Sequence, residues 1–341
     1  MKKFLVLLCC CFGFLYHHGY AQTSCAQTLR LAQSIYETGR LHELENTLAE
    51  CLKGNNFTIQ EKVAAYKLLT LAYIYLEEPE KADKTMLEIL TLQKEFQVNP
   101  EADPAEFVAL YKTFRTKPIY RLGGKAAFIA SQPNVVSANK ANDGFNEYSN
   151  GFGFGISVVA EIPFLNKWNL TPELQFGQRS HNSNNKYSTR TTSGTETQQW
   201  IGLPIAVQYE LWRNPKKGKV LYISAGASVE YLLSASKRLE TQIENYQPVK
   251  ESDVDVYDQR KHINSTLLIG AGFKKKISSG YLITEVRYQH GLLQLSSTDQ
   301  TFSNNTQLFN YHDVDALYKM NSLSLSIAYI VNVYKPIKLT R

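Results

Sequence analysis

Beyond Ala21 the 341-residue chain has no apolar run near the ~20 residues that a membrane-spanning helix requires. Any passage through a lipid bilayer must then be made by strands closed into a barrel. Cysteine is scarce as well. Of five, Cys9, Cys10 and Cys11 lie in the first stretch, which leaves only Cys25 and Cys51. No His/Cys cluster has metal-ligand spacing, and no glycine-rich phosphate loop follows a strand and opens a helix, so no metal and no cofactor is expected. Neither sign of charge dominates: 37 Lys plus Arg against 31 Asp plus Glu give +6, too mild and too interspersed for a nucleic-acid partner. Methionine falls to 3, whereas Tyr rises to 21 and Phe to 16. That balance points to a β-rich exported protein and away from a cytosolic enzyme.

Residues 1–21 read as a secretory signal peptide. Lys2 and Lys3 form the basic start, Phe4 to Tyr16 the apolar centre, and Gly19-Tyr20-Ala21 places small residues at the −3 and −1 positions before Gln22. Export implies an oxidising compartment. Cys25 at the start of one helix and Cys51 at the end of the next then predict a disulfide across an antiparallel hairpin.

Residues 22–116 carry a helical period. Leu29, Ala32, Ile35 and Tyr36 share one face, and Gly39 breaks the run. Leu41, Leu44, Leu48, Cys51 and Leu52 form the next face; Val63, Tyr66, Leu69 and Leu71 to Tyr75 lead into Ala82, Met86, Ile89 and Leu90. Gly39-Arg40-Leu41 and Glu78-Pro79-Glu80 occupy corresponding turns, so the segment resembles tetratricopeptide-like helical hairpins. Asp103-Pro104 predicts an N-cap and first residue of a short capping helix. Tyr66, Tyr73 and Tyr75 are candidate anchors for a docked protein partner.

From 117 to 335 the period becomes two. Phe152, Phe154, Ile156, Val158, Ala160, Ile162 and Phe164 alternate with Gly153, Gly155, Ser157, Val159, Glu161 and Pro163, and Trp168 to Phe176 repeats the pattern. Further runs at about 118–131, 198–212, 219–236, 262–276, 281–294 and 317–334 bring the expected count to eight strands. The connections around Leu165-Asn166-Lys167, Asn214 to Gly218 and Ser278-Ser279-Gly280 are short, whereas 132–149, 180–197, 237–261 and 295–316 are long and polar. Long and short loops in strict alternation predict an eight-stranded antiparallel transmembrane β-barrel with both termini, and a tail at 336–341, in the periplasm. Phe164, Trp168, Trp212, Tyr281 and Tyr334, beside the short turns, are expected to form the periplasmic aromatic girdle.

Trp200-Ile201-Gly202-Leu203-Pro204-Ile205, Gly226 to Leu233, and Val286 to Leu292 stand out within about 118–334. On these residues the second half resembles the PorT-like outer-membrane β-barrel family of Gram-negative bacteria. The family's founding member implies a link to type IX secretion.

A barrel of eight strands has room inside only for its own side chains. Glu161, Glu173, Glu210, Glu230 and Glu285 fall on the inward register with Arg179, Lys274 and Arg287, and are expected to pair as a polar plug. Lys216-Lys217 and Lys274-Lys275-Lys276 read as interfacial anchors. Ser180-His181, with Asp299, Asp313 and Asp315, is the arrangement that could support a rim hydrolase or acyltransferase. The favoured reading is non-enzymatic: an envelope-assembly or secretion component held in outer-membrane lipid, with a periplasmic or outer-membrane protein partner on its helices. A narrow conduit or ligand-binding barrel using the long external loops is the alternative.

Overall fold

The computed structural model describes residues 20–339 apart from Asn55, 138–144, Ser188, 251–252, 298–302 and His312. All but the end of the expected signal peptide, and Asp299, therefore lie outside the described residues. The chain divides into two units, Met1–Pro118 with Tyr334–Arg341 and Ile119–Val333.

In the first unit, α1 (Tyr20–Glu37) leads through Gly39, in the left-handed conformation at φ 77°, to α2 (Leu44–Lys53). Helix α3 (Ile59–Tyr75) opens with a capping box in which Thr58 and Glu61 satisfy each other's backbone N–H. Helix α4 (Pro79–Leu92) starts on Pro79, whose missing donor costs nothing there. Ala32, Ile35, Leu44, Leu48, Leu69 and Ala72 form one buried cluster. Val63, Leu71, Met86, Ile89 and Phe107 form a second. Cys25 and Cys51 are bonded, Cα to Cα 5.8 Å, as the spacing predicts.

Helix α5 (Ala105–Lys112) begins one residue later than expected, after Pro104. Asp103 does not cap it. Its carboxylate instead accepts from Asn99 N at 2.7 Å and pairs with Lys67. The C-terminal residues are not a loose tail either: Phe114 and Lys338 form an antiparallel bridge, Arg115 N donates to Ile337 O at 2.9 Å, and Leu339 N donates to Thr113 O at 2.8 Å.

The second unit is one closed antiparallel barrel: β1 (Tyr120–Ser137), β2 (Phe145–Leu165), β3 (Trp168–Lys186), β4 (Arg190–Asn214), β5 (Lys219–Ile243), β6 (Ile263–Ile277), β7 (Gly280–Gly291) and β8 (Leu317–Val333). Each strand pairs with the next, and β1 pairs with β8 from Tyr120↔Val333 onward, so no edge is left open. Outward positions such as Phe152, Phe154, Ile156, Leu203, Ile205, Ile269 and Leu325 are apolar yet more than half exposed. An apolar belt of this extent is what a lipid-facing wall requires.

The three short turns fall where expected, but three of the long loops do not. Lys186 pairs with Thr191, so 180–197 is mostly a hairpin, and β2 and β5 likewise run on into segments read as loop. In these extensions the outward residues are Ser180, Asn182, Thr195 and Arg238. The ladder therefore continues past the apolar belt, and the hydrophobic alternation that marks a strand stops at the membrane boundary.

Candidate functional site

The inward-facing charged residues of the barrel are arranged in successive tiers. Nearest the short turns, Glu161 is held by Arg121 and Lys274, and Lys274 Nζ also donates to Gln208 Oε1 at 2.7 Å. Glu210 accepts from Arg213 Nη2 at 2.6 Å and Asn169 Nδ2 at 3.3 Å. In the middle, Glu173 lies between Lys125 at 2.8 Å and Arg287 at 2.6 Å, and Glu285 takes Arg287 Nε and the Tyr222 hydroxyl, each at 2.8 Å. Above them Arg179 donates to Glu230 at 3.0 Å and to Gln198 at 2.9 Å, with its guanidinium 5.6 Å from the Trp200 ring. Every charge expected on the inward register thus lies in the lumen. Arg121 and Lys125 join them from β1, whose inward parity through Ile129 and Ser131 would have shown them.

A further tier sits beyond the apolar belt, at the long-loop mouth. Glu196 is gripped by Arg260 Nε at 2.8 Å, and Arg260 also reaches Asp315 at 2.6 Å. Lys237 joins Asp315 at 2.7 Å to Asp313, which also accepts from Gln307 Nε2 at 2.9 Å. His181 is buried, its Nε2 3.5 Å from Glu196 Oε2 and its ring 5.2 Å from that of Tyr318. Burial pushes His181 down to about 4, only partly offset by Glu196. Glu196 stays near 2 because Arg260 outweighs the opposing effect of its burial. The segment carrying Gln307, Asp313 and Asp315 is thereby pinned across the end of the barrel.

One void among these side chains, lined by Lys125, Glu161, Glu173, Tyr222 and Glu285, measures about 10 Å³, room for about one water. The rim arrangement considered for hydrolysis is also taken apart. Ser180 and His181 are consecutive on β3 and so face opposite sides: Ser180 Oγ donates to Phe152 O at 2.7 Å on the outer face, while His181 points inward. Asp313 and Asp315 are committed to Lys237 and Arg260.

Two members of the expected aromatic girdle are elsewhere. Phe164, Trp168 and Trp212 are lipid-facing, and Trp168 packs on Tyr209 at 4.7 Å between ring centres. Tyr281 belongs to the inward register beside Ile283, with Arg121 5.1 Å above its ring, and Leu282 takes the outward place. Tyr334 lies past the end of β8 and belongs to the helical unit.

On that unit, the three tyrosines part company. Tyr73 is core; burial and a hydrogen bond to Glu45 push its hydroxyl up to about 12. Tyr66 is partly buried against the same cluster, and Tyr75 is 52% exposed. A groove of about 530 Å³, lined by Ile74, Glu77, Pro79, Ala82 and Leu110 among others, is the apolar concavity next to this helix end.

Residues 119–297 match the family described as outer membrane protein beta-barrel domain. No curated protein matches the chain. Similar solved structures include Neisserial surface protein A, at 12% identity and TM-score 0.31, covering 62% of this chain and 96% of that one. OprG from Pseudomonas aeruginosa aligns at 9% identity and TM-score 0.32, over 63% and 94%. A major outer membrane protein from Thermus thermophilus aligns at 12% identity and TM-score 0.30, over 61% and 99%. At such scores the alignments add no argument to the family match. With a closed, lipid-facing barrel across the matched residues, this chain belongs to the outer membrane protein β-barrel domain family.

Proposed function

We propose that the protein is a non-enzymatic, non-conducting outer-membrane anchor whose helical unit is a periplasmic docking module for an envelope-assembly or secretion protein. The observation that carries this is the succession of ion pairs across the lumen, from Glu161–Lys274 near the short turns through Glu173–Arg287 to Glu196–Arg260 at the long-loop end, in a barrel size whose interior is filled by its own side chains. The work of the molecule then falls to what the barrel holds in place.

The helical unit is made from both ends of the chain, since 113–115 pair with 337–339. Both crossings into the barrel, at Ile119 and Val333, lie at the short-turn end, where outer-membrane barrels face the periplasm. A signal peptide ending at Ala21 and the disulfide suit that side. The apolar groove by Ile74, Ala82 and Leu110 suits a helix or extended segment of a partner, as in tetratricopeptide-like pairs. The PorT-like motifs favour a secretion-linked partner of the type IX kind.

The test is a photo-crosslinking residue placed at Tyr75 of the full chain in cells. A crosslink to a periplasmic or outer-membrane protein, protected from protease added outside, is expected. Protein crosslinks from Tyr246 on the external side, with none from Tyr75, would move the function to the loops.

A further inference from the structure

Lys219 and Lys275 are direct partners across the β5–β6 ladder. Both face outward, because Val220 and Lys274 beside them are buried in the lumen. Opposed side chains in an antiparallel pair have Cβ atoms about 4.5–5.5 Å apart, and like charges there repel. Lys216 and Lys217 in the adjoining β4–β5 turn are also exposed and add to the same arc of the rim.

A neighbouring carboxylate would relieve this repulsion, yet the nearby acids face the other way. Glu210 and Glu161 point inward and are taken by Arg213, Arg121 and Lys274. Among the described residues none of Lys216, Lys217, Lys219 and Lys275 forms an ion pair. The sequence run Lys274-Lys275-Lys276 is thus split by the strand: Lys274 serves the plug, and Lys275 is left on the outside.

Immediately toward the membrane from this step the wall turns apolar. Trp212 is the ladder partner of Leu221, and both, with Ile223, are lipid-exposed. A cationic pair under an aromatic and aliphatic face has the polarity profile of a phospholipid turned over: phosphate at the lysines, acyl chains along the wall. The site lies between two neighbouring short turns, since Lys275 also adjoins Ser278-Ser279, whereas the remaining short turn has Lys167 alone.

We propose that Lys219 and Lys275, supported by Lys216 and Lys217, bind the phosphate of an anionic phospholipid in the leaflet that meets the short turns, with its chains against Trp212, Leu221 and Ile223.

The experiment is native mass spectrometry of the full chain taken from bilayers of phosphatidylcholine and phosphatidylglycerol. Retained lipid should be enriched in phosphatidylglycerol, with the enrichment falling about fivefold per lysine in Lys219→Gln and Lys275→Gln. Lys167→Gln should leave it unchanged, and the double variant Lys219→Arg with Lys275→Arg should keep it. Folding of each variant is read from its heat-modifiable mobility. Should either glutamine variant fail to fold, the wild-type preference and its retention by the double arginine variant still decide the matter. Equal retention of the two lipids overturns the proposal. So does displacement of the bound lipid by millimolar inorganic phosphate, which would make the ligand a soluble phosphate.

Discussion

Trp200 occupies the space that a side chain at Gly177 would need: a Cβ there would lie 2.4 Å from the indole Cζ2. The ring is buried in the lumen, across the β3–β4 ladder where Gly177 and Trp200 are partners. Glycine at 177 is therefore a packing requirement of the plug, and the conformational freedom of the residue plays no part. Gly177→Ala should destabilise the barrel by roughly 1–3 kcal/mol as an overpacked core. Gly124→Ala, where nothing lies within 4 Å, should be close to neutral. Urea midpoints of the detergent-refolded chain compare the two.

The middle tier makes a second prediction. Arg287 is the only group that touches both Glu173 and Glu285 among the described ion pairs. Arg287→Met leaves Glu285 buried without its cation and should cost about 3–5 kcal/mol. Replacing Glu285 by Gln as well should recover part of that loss, since the stranded charge is removed. Equal midpoints for the single and double variants would show the two residues to be uncoupled.

The tier at the long-loop mouth should be sensitive to acid. His181 has a folded pKa of about 4 against an unfolded value near 6.5. Between these values the unfolded chain binds a proton that the folded chain does not, so stability falls as pH drops from about 6.5 to 4. Below about 4 this contribution is fully lost. Heat-modifiable mobility followed across that window should shift to lower temperature in the wild type and shift less in His181→Asn.

Reducing the Cys25–Cys51 bond, or changing both residues to Ser, should cost the helical unit on the order of 3 kcal/mol in the chain-entropy account of disulfides. Far-ultraviolet circular dichroism resolves the helical transition from that of the strands. An unchanged helical transition would show that the packing of Ala32, Leu44 and Leu48 suffices alone.

The alternation of Phe152 to Phe164 and of Trp168 to Phe176 made the barrel legible, because a lipid-facing wall repeats with the pleat. The strand extensions were not legible. Past the belt both faces are polar, as at Ser180 and His181, so the period vanishes while the ladder continues. Lys237 was hidden by a bulge: Gln199 pairs with Ser234 and Trp200 with Leu232, leaving Leu233 as the extra residue. That residue reverses the parity of β5 and turns Lys237 inward toward Asp313 and Asp315, contacts across loops that no local pattern encodes. Tyr281 was misplaced for a similar reason. Adjacency to a short turn suggested the girdle, but its register beside Ile283 put it inside.

The central claim is that the plug of ion pairs closes the barrel. Planar-bilayer recording of the full chain, inserted and checked for heat-modifiable mobility, tests it most directly. The account predicts a baseline without unitary current steps across the accessible voltage range. Reproducible single-channel steps, carried by the folded protein and altered by Arg287→Met, would contradict it.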